Sequence, residues 1–264
     1  MKLRTHLSLM LLTAGLVAQT PGLAAKTNGS NFNEAQKKEI ETVVQGYLLA
    51  HPDILIQMTQ ILQSSEMKKR QDIAMSAIPA NADKLFNAKF SPVLGNKAGT
   101  VTLVEFFDYQ CGHCRRMDPI LKALPGKHDK LRIIYKLFPI FGADSEFATR
   151  VALASQKQNK FAKMHEVLMT VEPPLTKKKV LDAAKAAGID TAKLEKDAKD
   201  AAVETELAAN YELAKALGIM GTPSFVITNP ALPATADNQK NKDVVFLPGA
   251  VDADTLDKAI GKFK

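Results

Sequence analysis

The chain has 264 residues, of which 46% are hydrophobic and 24% charged, and it contains 14 Gly and 13 Pro. This composition is typical of a globular protein and excludes collagen-like, low-complexity and largely disordered chains. The formal net charge is +7. The basic residues are interspersed with acidic ones, a pattern of solvated helix faces that lacks the basic, aromatic-rich patches of nucleic-acid-binding proteins.

The first 25 residues have the layout of a secretory signal peptide. Lys2 and Arg4 precede an apolar stretch from Leu7 to Val17, and small residues ending in Ala24-Ala25 supply candidate cleavage positions. The apolar stretch is too short for a membrane-spanning helix, which needs about 20 residues. We therefore predict that residues 1–25 are removed and that the mature protein is exported without a membrane anchor.

Two amphipathic helices are predicted next. Residues 33–50 show apolar side chains at helical spacing, with Asn33 as the candidate N-cap. His51-Pro52-Asp53 interrupts the pattern, and a second helix begins near Ile54 and becomes strongly charged over residues 65–72. A helical hairpin of this size cannot build a core of its own. Its apolar stripes must pack on the rest of the chain or on a second copy, and we favour a homodimer with the charged stretch as a spacer.

A compact domain is predicted from about Phe90 onward. Residues 101–107 form an apolar, β-branched run typical of a strand buried on both faces, and residues 131–138 predict a second strand after a helix over 115–124. A strand–helix–strand order of this kind predicts a parallel pair. Helical patterns then extend over residues 144–217.

The last part of the domain combines a strand pair with a helix. Residues 224–227 and 244–247 predict a hairpin with a long polar loop, and residues 252–263 predict a closing helix. Gly221-Thr222-Pro223 precedes the first strand, where a proline is compatible with a sheet. Both a cis and a trans Thr222–Pro223 bond fit the sequence, and a cis bond would turn the Thr222 backbone toward an extended peptide.

The two cysteines of the chain lie together in Cys111-Gly112-His113-Cys114, at the predicted strand–helix junction. A disulfide across so short a loop restricts the unfolded chain very little. A zinc site would need further ligands, which no second cysteine pair supplies. The spacing therefore favours redox chemistry over an inert disulfide or a metal site.

The positions of the two sulfurs predict their roles. Cys111 lies at the helix N-terminus, where unpaired N–H groups and the helix dipole stabilise a thiolate, so it is the predicted nucleophile. Cys114, one turn further on, is predicted to resolve the mixed disulfide. His113 is predicted to favour the thiolate as an imidazolium or a hydrogen-bond donor, the alternative being an exposed residue without influence. Gly112 is predicted to leave the sulfur uncovered for a protein substrate.

Glu105 is the second unusual residue, because a carboxylate inside an apolar strand is costly unless it is paired, protonated or functional. We predict that Glu105 shuttles a proton for Cys114, the alternative being a satisfied carboxylate at a sheet edge. Asp108, just after the strand, is interpreted as a turn residue closer to the surface.

These residues together resemble a known family. The run from Glu105 to Cys114, the helical stretch after it and Gly221-Thr222-Pro223 look like the DsbA-type thioredoxin-fold thiol–disulfide oxidoreductases. The resemblance covers about residues 90–264 and implies a periplasmic location, a nucleophilic Cys111 and a cis Pro223. The substrate-binding residues are then expected to be Thr222, Pro223 and Gly112.

The architecture expected from these observations is α/β. It is a thioredoxin fold over residues 90–264, with a helical insertion at about residues 142–218, preceded by an N-terminal helical dimerisation region over residues 26–89.

Two details distinguish the chain from monomeric members of the family. Gly112-His113 stands between the cysteines, as in protein disulfide isomerases, and Thr222 precedes the proline, as in the dimeric isomerases DsbC and DsbG. With the N-terminal helices, the chain resembles a dimeric branch that shuffles as well as introduces disulfides.

The sequence leaves the oxidase and isomerase functions both open. The resemblance implies a DsbB-like membrane partner for an oxidase or a DsbD-like partner for an isomerase, acting with cysteine-containing exported proteins as substrates. No flavin or nicotinamide fingerprint is present, so no cofactor is predicted. The alternative function is a dimeric holdase or surface-binding protein with secondary redox activity.

Overall fold

The computed structural model describes residues 32–229 and 244–263. The predicted signal peptide and most of the predicted polar loop between the last two strands lie outside the described residues. The chain divides into two compact units, Met1–Gln57 and Met58–Lys264. Within the described ranges, no helix combines the length and apolar character needed to cross a membrane.

The first unit contains helix α1, Glu34–Ala50. Asn33 is its N-cap as predicted, because the Asn33 side chain accepts a hydrogen bond from the Gln36 backbone N–H at 2.9 Å and the Gln36 side chain accepts one from the Asn33 N–H at 2.9 Å. No residue of α1 is buried, and Val43 and Leu49 are 66% and 76% exposed. The cap therefore stabilises the start of the helix, whereas its apolar face is uncovered.

Helix α2, Asp53–Ala77, begins in the first unit and continues into the second, which is built on a five-stranded sheet. The strands are β1 (Val93–Gly95), β2 (Val101–Phe107), β3 (Leu131–Leu137), β4 (Ser224–Thr228) and β5 (Val244–Pro248). The remaining helices are α3 (Ala82–Phe86), α4 (Gly112–Lys127), α5 (Ala143–Ala154), α6 (Phe161–Thr170), α7 (Lys177–Ala186), α8 (Thr191–Asp197), α9 (Ala201–Ala216) and α10 (Ala253–Gly261).

The strand order across the sheet is β1-β3-β2-β4-β5. Strands β2 and β3 are parallel, as predicted, and the other neighbouring pairs are antiparallel. All seven residues of β2 are buried, because β2 has strand neighbours on both sides and packed layers on both faces. The predicted α/β fold with a helical insertion, α5 to α9, is confirmed.

Alternate residues of β2 point to opposite faces of the sheet. Leu103 and Phe107 belong to the core that contains Cys114 of α4, whereas Val104 and Phe106 belong to the core on the other face. Glu105 has the same parity as Leu103 and Phe107, so its carboxylate lies on the face that α4 covers.

The packed unit begins earlier in the chain than Phe90. Ala74 and Ile78 at the end of α2 and Leu85 and Phe86 of α3 are buried in the same core as Val104. These apolar residues surround short polar and helix-breaking stretches, so their periodicity is weak in the sequence. The functional division of the chain at residue 89 stays a prediction.

Two elements differ from the sequence prediction. The edge strand β1 was not predicted, because its three residues are too few to show an alternating pattern. The last part of the helical pattern predicted over residues 144–217 is interrupted between α8 and α9, and Asp200 caps α9 by accepting a hydrogen bond from the Ala202 N–H at 2.8 Å.

Candidate active site

Cys111 is the N-cap of α4, directly after the turn that follows β2. Its backbone N–H donates to the Asp108 carbonyl at 3.1 Å, and its carbonyl accepts the hydrogen bond of the Arg115 N–H at 3.0 Å. This geometry leaves the first N–H groups of the helix without helical partners and close to the Cys111 sulfur. Only 3% of the surface of Cys111 is exposed. The sulfur is therefore less accessible than we predicted from the neighbouring Gly112.

Hydrogen bonds lower the pKa of Cys111 to about 5. The largest contribution is the hydrogen bond from the Cys114 thiol, and the backbone N–H groups of Cys114 and His113 add to it, while partial burial opposes them. An ordinary cysteine has a pKa near 8.5. Cys111 is therefore a thiolate at neutral pH.

Cys114 has the opposite character. It is fully buried, and this burial raises its pKa far above the ordinary value, with further contributions from its hydrogen bond to Cys111 and from Glu105. The sulfur of Cys114 therefore retains its proton when that of Cys111 has lost one. The pair is chemically asymmetric although only two residues separate its members.

Glu105 lies 1% exposed on the central strand β2. Neither carboxylate oxygen has a hydrogen-bond partner among the described residues. Burial, with smaller contributions from Asp118 and Cys111, raises the pKa of Glu105 well above 4.5. The alternative of a satisfied carboxylate at a sheet edge is therefore wrong, and burial beneath α4 favours the protonated form of Glu105. Its proton transfer to or from Cys114 stays a prediction.

The loop before β4 faces Cys111. The Thr222–Pro223 peptide bond is cis, as the resemblance implies. In the dithiol form, the Cys111 thiol donates to the Thr222 carbonyl oxygen at 3.3 Å. The buried Thr222 hydroxyl has no hydrogen-bond partner among the described residues, and it lowers the pKa of Cys111. A hydroxyl in that position is available to donate to the sulfur once the sulfur is ionised.

His113 is exposed, and its Nδ1 lies 2.8 Å from Nη2 of Arg116. A guanidinium only donates hydrogen bonds, so Nδ1 is the acceptor in this contact. The predicted effect of the His113 ring on Cys111, as an imidazolium or a hydrogen-bond donor, stays a prediction, whereas the His113 backbone N–H contributes to the stabilisation of the Cys111 thiolate.

Asp108 lies deeper than predicted. It is 0% exposed and its carboxylate accepts hydrogen bonds from four donors, so its placement near the surface was wrong. The donors are the backbone N–H groups of Gln110 (2.7 Å), Ile140 (2.7 Å) and Phe141 (3.2 Å) and the Ser145 hydroxyl. Asp108 thereby joins the turn before Cys111 to the loop after β3 and to the start of α5.

A buried polar chain runs beside the dithiol. His165 of α6 contacts the Tyr109 hydroxyl through Nδ1 at 3.2 Å and the Asp118 carboxylate through Nε2 at 3.1 Å, and Asp118 also pairs with Lys122 at 2.7 Å. Burial lowers the pKa of His165. Although burial acts to raise it, the bonds from His165 and Lys122 lower the pKa of Asp118. A neutral His165 therefore donates to Asp118 and accepts from Tyr109.

Sequence reasoning missed His165, Asp118 and Arg115. The available signal was a histidine on the apolar face that Phe161, Met164 and Leu168 form. Arg115 donates to the carbonyls of Tyr109 (3.0 Å), Leu168 (2.9 Å) and Val171 (2.6 Å), which ties the first turn of α4 to the end of α6.

Thiol–disulfide exchange is the chemistry that such an asymmetric pair supports. Combined with this sheet order and the cis-proline loop, it places the chain in the class of thioredoxin-fold oxidoreductases. The chain belongs to the DsbA-like thioredoxin domain family, which matches residues 102–261. Residues 36–68 match the N-terminal domain of the copper resistance protein ScsC.

Comparison with individual proteins agrees with this assignment. A thioredoxin-like oxidoreductase from Silicibacter pomeroyi is 36% identical, with 69% of this chain and 96% of that chain covered at a TM-score of 0.61. Proteus mirabilis ScsC in a transitional conformation is 30% identical, with 88% of this chain and 96% of that chain covered at a TM-score of 0.61. The thiol:disulfide interchange protein DsbA of Bordetella pertussis is 28% identical over 153 residues, which cover 53% of this chain and 72% of DsbA.

The chain also matches a region of larger curated proteins. Two NhaA Na(+)/H(+) antiporters, from Salinispora tropica and Salinispora arenicola, are 23% identical over 137 residues, and the chain spans 21% of their length.

Proposed function

We propose that this protein is a periplasmic thiol–disulfide oxidoreductase that introduces or isomerises disulfides in exported proteins through Cys111 and Cys114. The observation that carries the proposal is the divergence of the two sulfur pKa values, about 5 for Cys111 and far above the ordinary range for Cys114. One sulfur attacks and leaves as a thiolate at neutral pH, and the other keeps its proton until the mixed disulfide has formed.

In the oxidising direction, a client thiolate attacks the Cys111 sulfur of the Cys111–Cys114 disulfide. A mixed disulfide forms, and Cys114 leaves as a thiolate that takes a proton, for which the neutral acid Glu105 is the proposed donor. A second client thiolate then attacks the client sulfur, a client disulfide forms and Cys111 leaves as a thiolate. Two electrons pass from the client to the protein, and the stable Cys111 thiolate favours this direction.

In the isomerising direction, the reduced Cys111 thiolate attacks a client disulfide, and one client sulfur leaves as a thiolate. A different client thiolate then attacks the mixed disulfide, a new client disulfide forms and the Cys111 thiolate is returned. No electrons are transferred overall. A DsbB-like membrane partner would reoxidise the pair for the first activity, and a DsbD-like partner would reduce it for the second.

We further propose that α1 mediates self-association as a homodimer. An isolated helix of 17 residues is marginal in water, and α1 leaves Val43 and Tyr47 66% and 58% exposed. The match of residues 36–68 to a separate N-terminal domain supports an independent role for this segment. Val43→Lys with Tyr47→Lys is expected to lower the mass measured by light scattering to that of one chain, whereas Thr42→Lys on the opposite face keeps it.

The function is tested with insulin reduction and with the reactivation of scrambled ribonuclease. Cys111→Ser is expected to reduce both activities to background, because a hydroxyl cannot form the mixed disulfide. Cys114→Ser is the matched control and is expected to accumulate mixed disulfides with clients. If Cys111→Ser retains both activities, the proposal is wrong, and if it only continues to suppress client aggregation, the protein is a holdase.

The balance of the two activities is measured by trapping both thiols in cells with a thiol-reactive mass tag. A mostly oxidised pair indicates an oxidase, and a mostly reduced pair indicates an isomerase.

A further inference from the structure

A groove beside the cis-proline loop has one wall that comes from α2. It has a volume of about 480 Å³ and lies between the second half of α2 and residues 218–222, with Ser224, Pro248 and Gly249 also lining it. The α2 wall consists of Leu62, Gln63, Glu66, Met67 and Arg70. All of these residues belong to the second compact unit.

The α2 wall is one helix face, since its members follow one another at alternating spacings of one and three residues. The helix is anchored beside the loop just beyond this face, where Ile73 packs on Gly218 and Ala74 is fully buried. Gly218 has a φ of +65°, and a Cβ there would lie 2.9 Å from Cγ2 of Ile73. Glycine therefore allows α2 to approach the loop closely.

The groove adjoins the reactive sulfur through Thr222. Thr222 lines the groove, and its carbonyl oxygen lies 3.3 Å from the Cys111 sulfur. A client in a mixed disulfide is held by an S–S bond of about 2 Å. Extended chain advances about 3.3–3.6 Å per residue, so the two or three residues beside the client cysteine must lie near Thr222 and the groove.

We infer that the α2 wall binds the client segment that adjoins the attacked cysteine, and that it selects segments with apolar side chains. This inference rests on the proposed function, and the substrate feature that it adds is the presence of apolar side chains next to the client cysteine. Leu62, Met67 and Met220 present 63%, 54% and 78% of their surfaces to solvent. A cluster of exposed large apolar side chains beside a reactive sulfur is suited to an apolar partner.

The chemistry of the groove, which includes Met67 and Met220, fits a partner of variable sequence. Two of the apolar side chains are methionines, whose flexible thioethers adapt to different shapes. Glu66 and Arg70 lie on the same face, and neither forms a salt bridge with another described residue. Their charges are free to interact with the polar parts of an extended client. Incompletely folded exported chains, which expose apolar residues next to cysteines, are the class of client that these features favour.

The test compares two peptides of eight residues with one cysteine, flanked by leucines in one and by serines in the other. Each peptide, and glutathione as a thiol too small to fill the groove, reduces the oxidised full chain, and the reaction is followed by thiol-reactive mass tagging. The groove variant is Leu62→Ala with Met67→Ala. The matched control is Met58→Ala with Ile61→Ala, which removes exposed apolar side chains from α2 outside the groove.

The wild type is expected to react about tenfold faster with the leucine-flanked peptide than with the serine-flanked one. The groove variant is expected to lose most of this preference while its rate with glutathione and its melting temperature stay unchanged, and the control is expected to keep it. An equal preference in the groove variant and the wild type would overturn the inference and leave the proposed function intact. A wild type that does not react with glutathione would overturn both.

A photoreactive side chain in place of Met67 provides a second readout that does not depend on rates. With saturating leucine-flanked peptide, the expected adduct contains the peptide. An adduct only with a second copy or with another segment of the same chain would overturn the inference, because the groove would then have a different occupant.

Discussion

Strand β2 contains one buried carboxylate and is followed by another, and the two differ in their hydrogen bonding. At the end of β2, Asp108 is fully buried and accepts hydrogen bonds from four donors. Inside β2 and beneath α4, Glu105 is equally buried, and its oxygens have no partner among the described residues. A buried carboxylate with several donors is stabilised as an anion, whereas one without donors is stabilised as a neutral acid.

This difference indicates that Asp108 stabilises the fold and that Glu105 has a role in the proposed proton transfer. Asp108 holds three segments of backbone in place around the turn that leads to Cys111. The carboxyl group of Glu105 forms no hydrogen bond with the described residues, and its burial is unfavourable unless its proton is used. Both sulfurs interact electrostatically with Glu105, and one of them, that of Cys114, takes up a proton in the proposed reaction.

The largest effect is expected at Asp108. Asp108→Ala leaves four donors at the end of β2 without their acceptor and should lower the free energy of unfolding by roughly 3–5 kcal/mol. Asp108→Asn has the same shape, but its NH2 group replaces one acceptor oxygen and faces backbone N–H groups. An intermediate loss of unfolding free energy is therefore expected. Urea denaturation of the reduced proteins measures both, and a loss below about 1 kcal/mol for Asp108→Ala would contradict the organising role.

A smaller effect of opposite sign is expected at Glu105. Glu105→Leu removes a buried group without partners and should raise the free energy of unfolding by roughly 1–3 kcal/mol at neutral pH. The exchange reaction of the same variant should slow by at least roughly tenfold at the step in which Cys114 is protonated or deprotonated. Glu105→Gln is the control that keeps the shape and removes the titration.

The pH dependence provides a further test of Glu105. Its folded pKa is raised, so its contribution to stability is fully present below its ordinary pKa of 4.5 and is lost as the pH rises through the folded value. The stability difference between Glu105→Leu and the wild type should therefore widen as the pH rises from 4.5 toward neutrality. A difference that stays constant over this range would show that Glu105 titrates normally.

The smallest effect is expected at Asp118. Its negative charge contributes to the raised pKa of Glu105, so Asp118→Asn should lower that pKa, and the widening should end at a lower pH and be smaller. The Glu105 carboxyl signal followed by NMR titration reports the change directly. If the signal titrates at the same pH in both proteins, Asp118 does not act on Glu105, and the His165–Asp118 contact is purely structural.

Local patterns in the sequence predicted the elements that carry the chemistry. The buried strand, the strand–helix junction at Cys111 and the glycine and proline around Thr222 each have a signature within a few neighbouring residues. The burial of Asp108 could not be predicted in this way, because its donors at Ile140 and Phe141 follow a different strand. His165 meets Asp118 and Tyr109 only after α6 packs on α4, and a short strand such as β1 lacks an alternating pattern. Contacts between distant segments were therefore the part that the sequence left unpredicted.

The central claim is that the Cys111 sulfur is ionised at neutral pH because of its position at the start of α4 and its hydrogen bond from Cys114. The most direct test is the rate of alkylation of Cys111 in the reduced protein as a function of pH, with the modified residue identified by mass spectrometry. A midpoint at a pH of about 5 is expected. A midpoint near 8.5, the value of an ordinary cysteine, would contradict it.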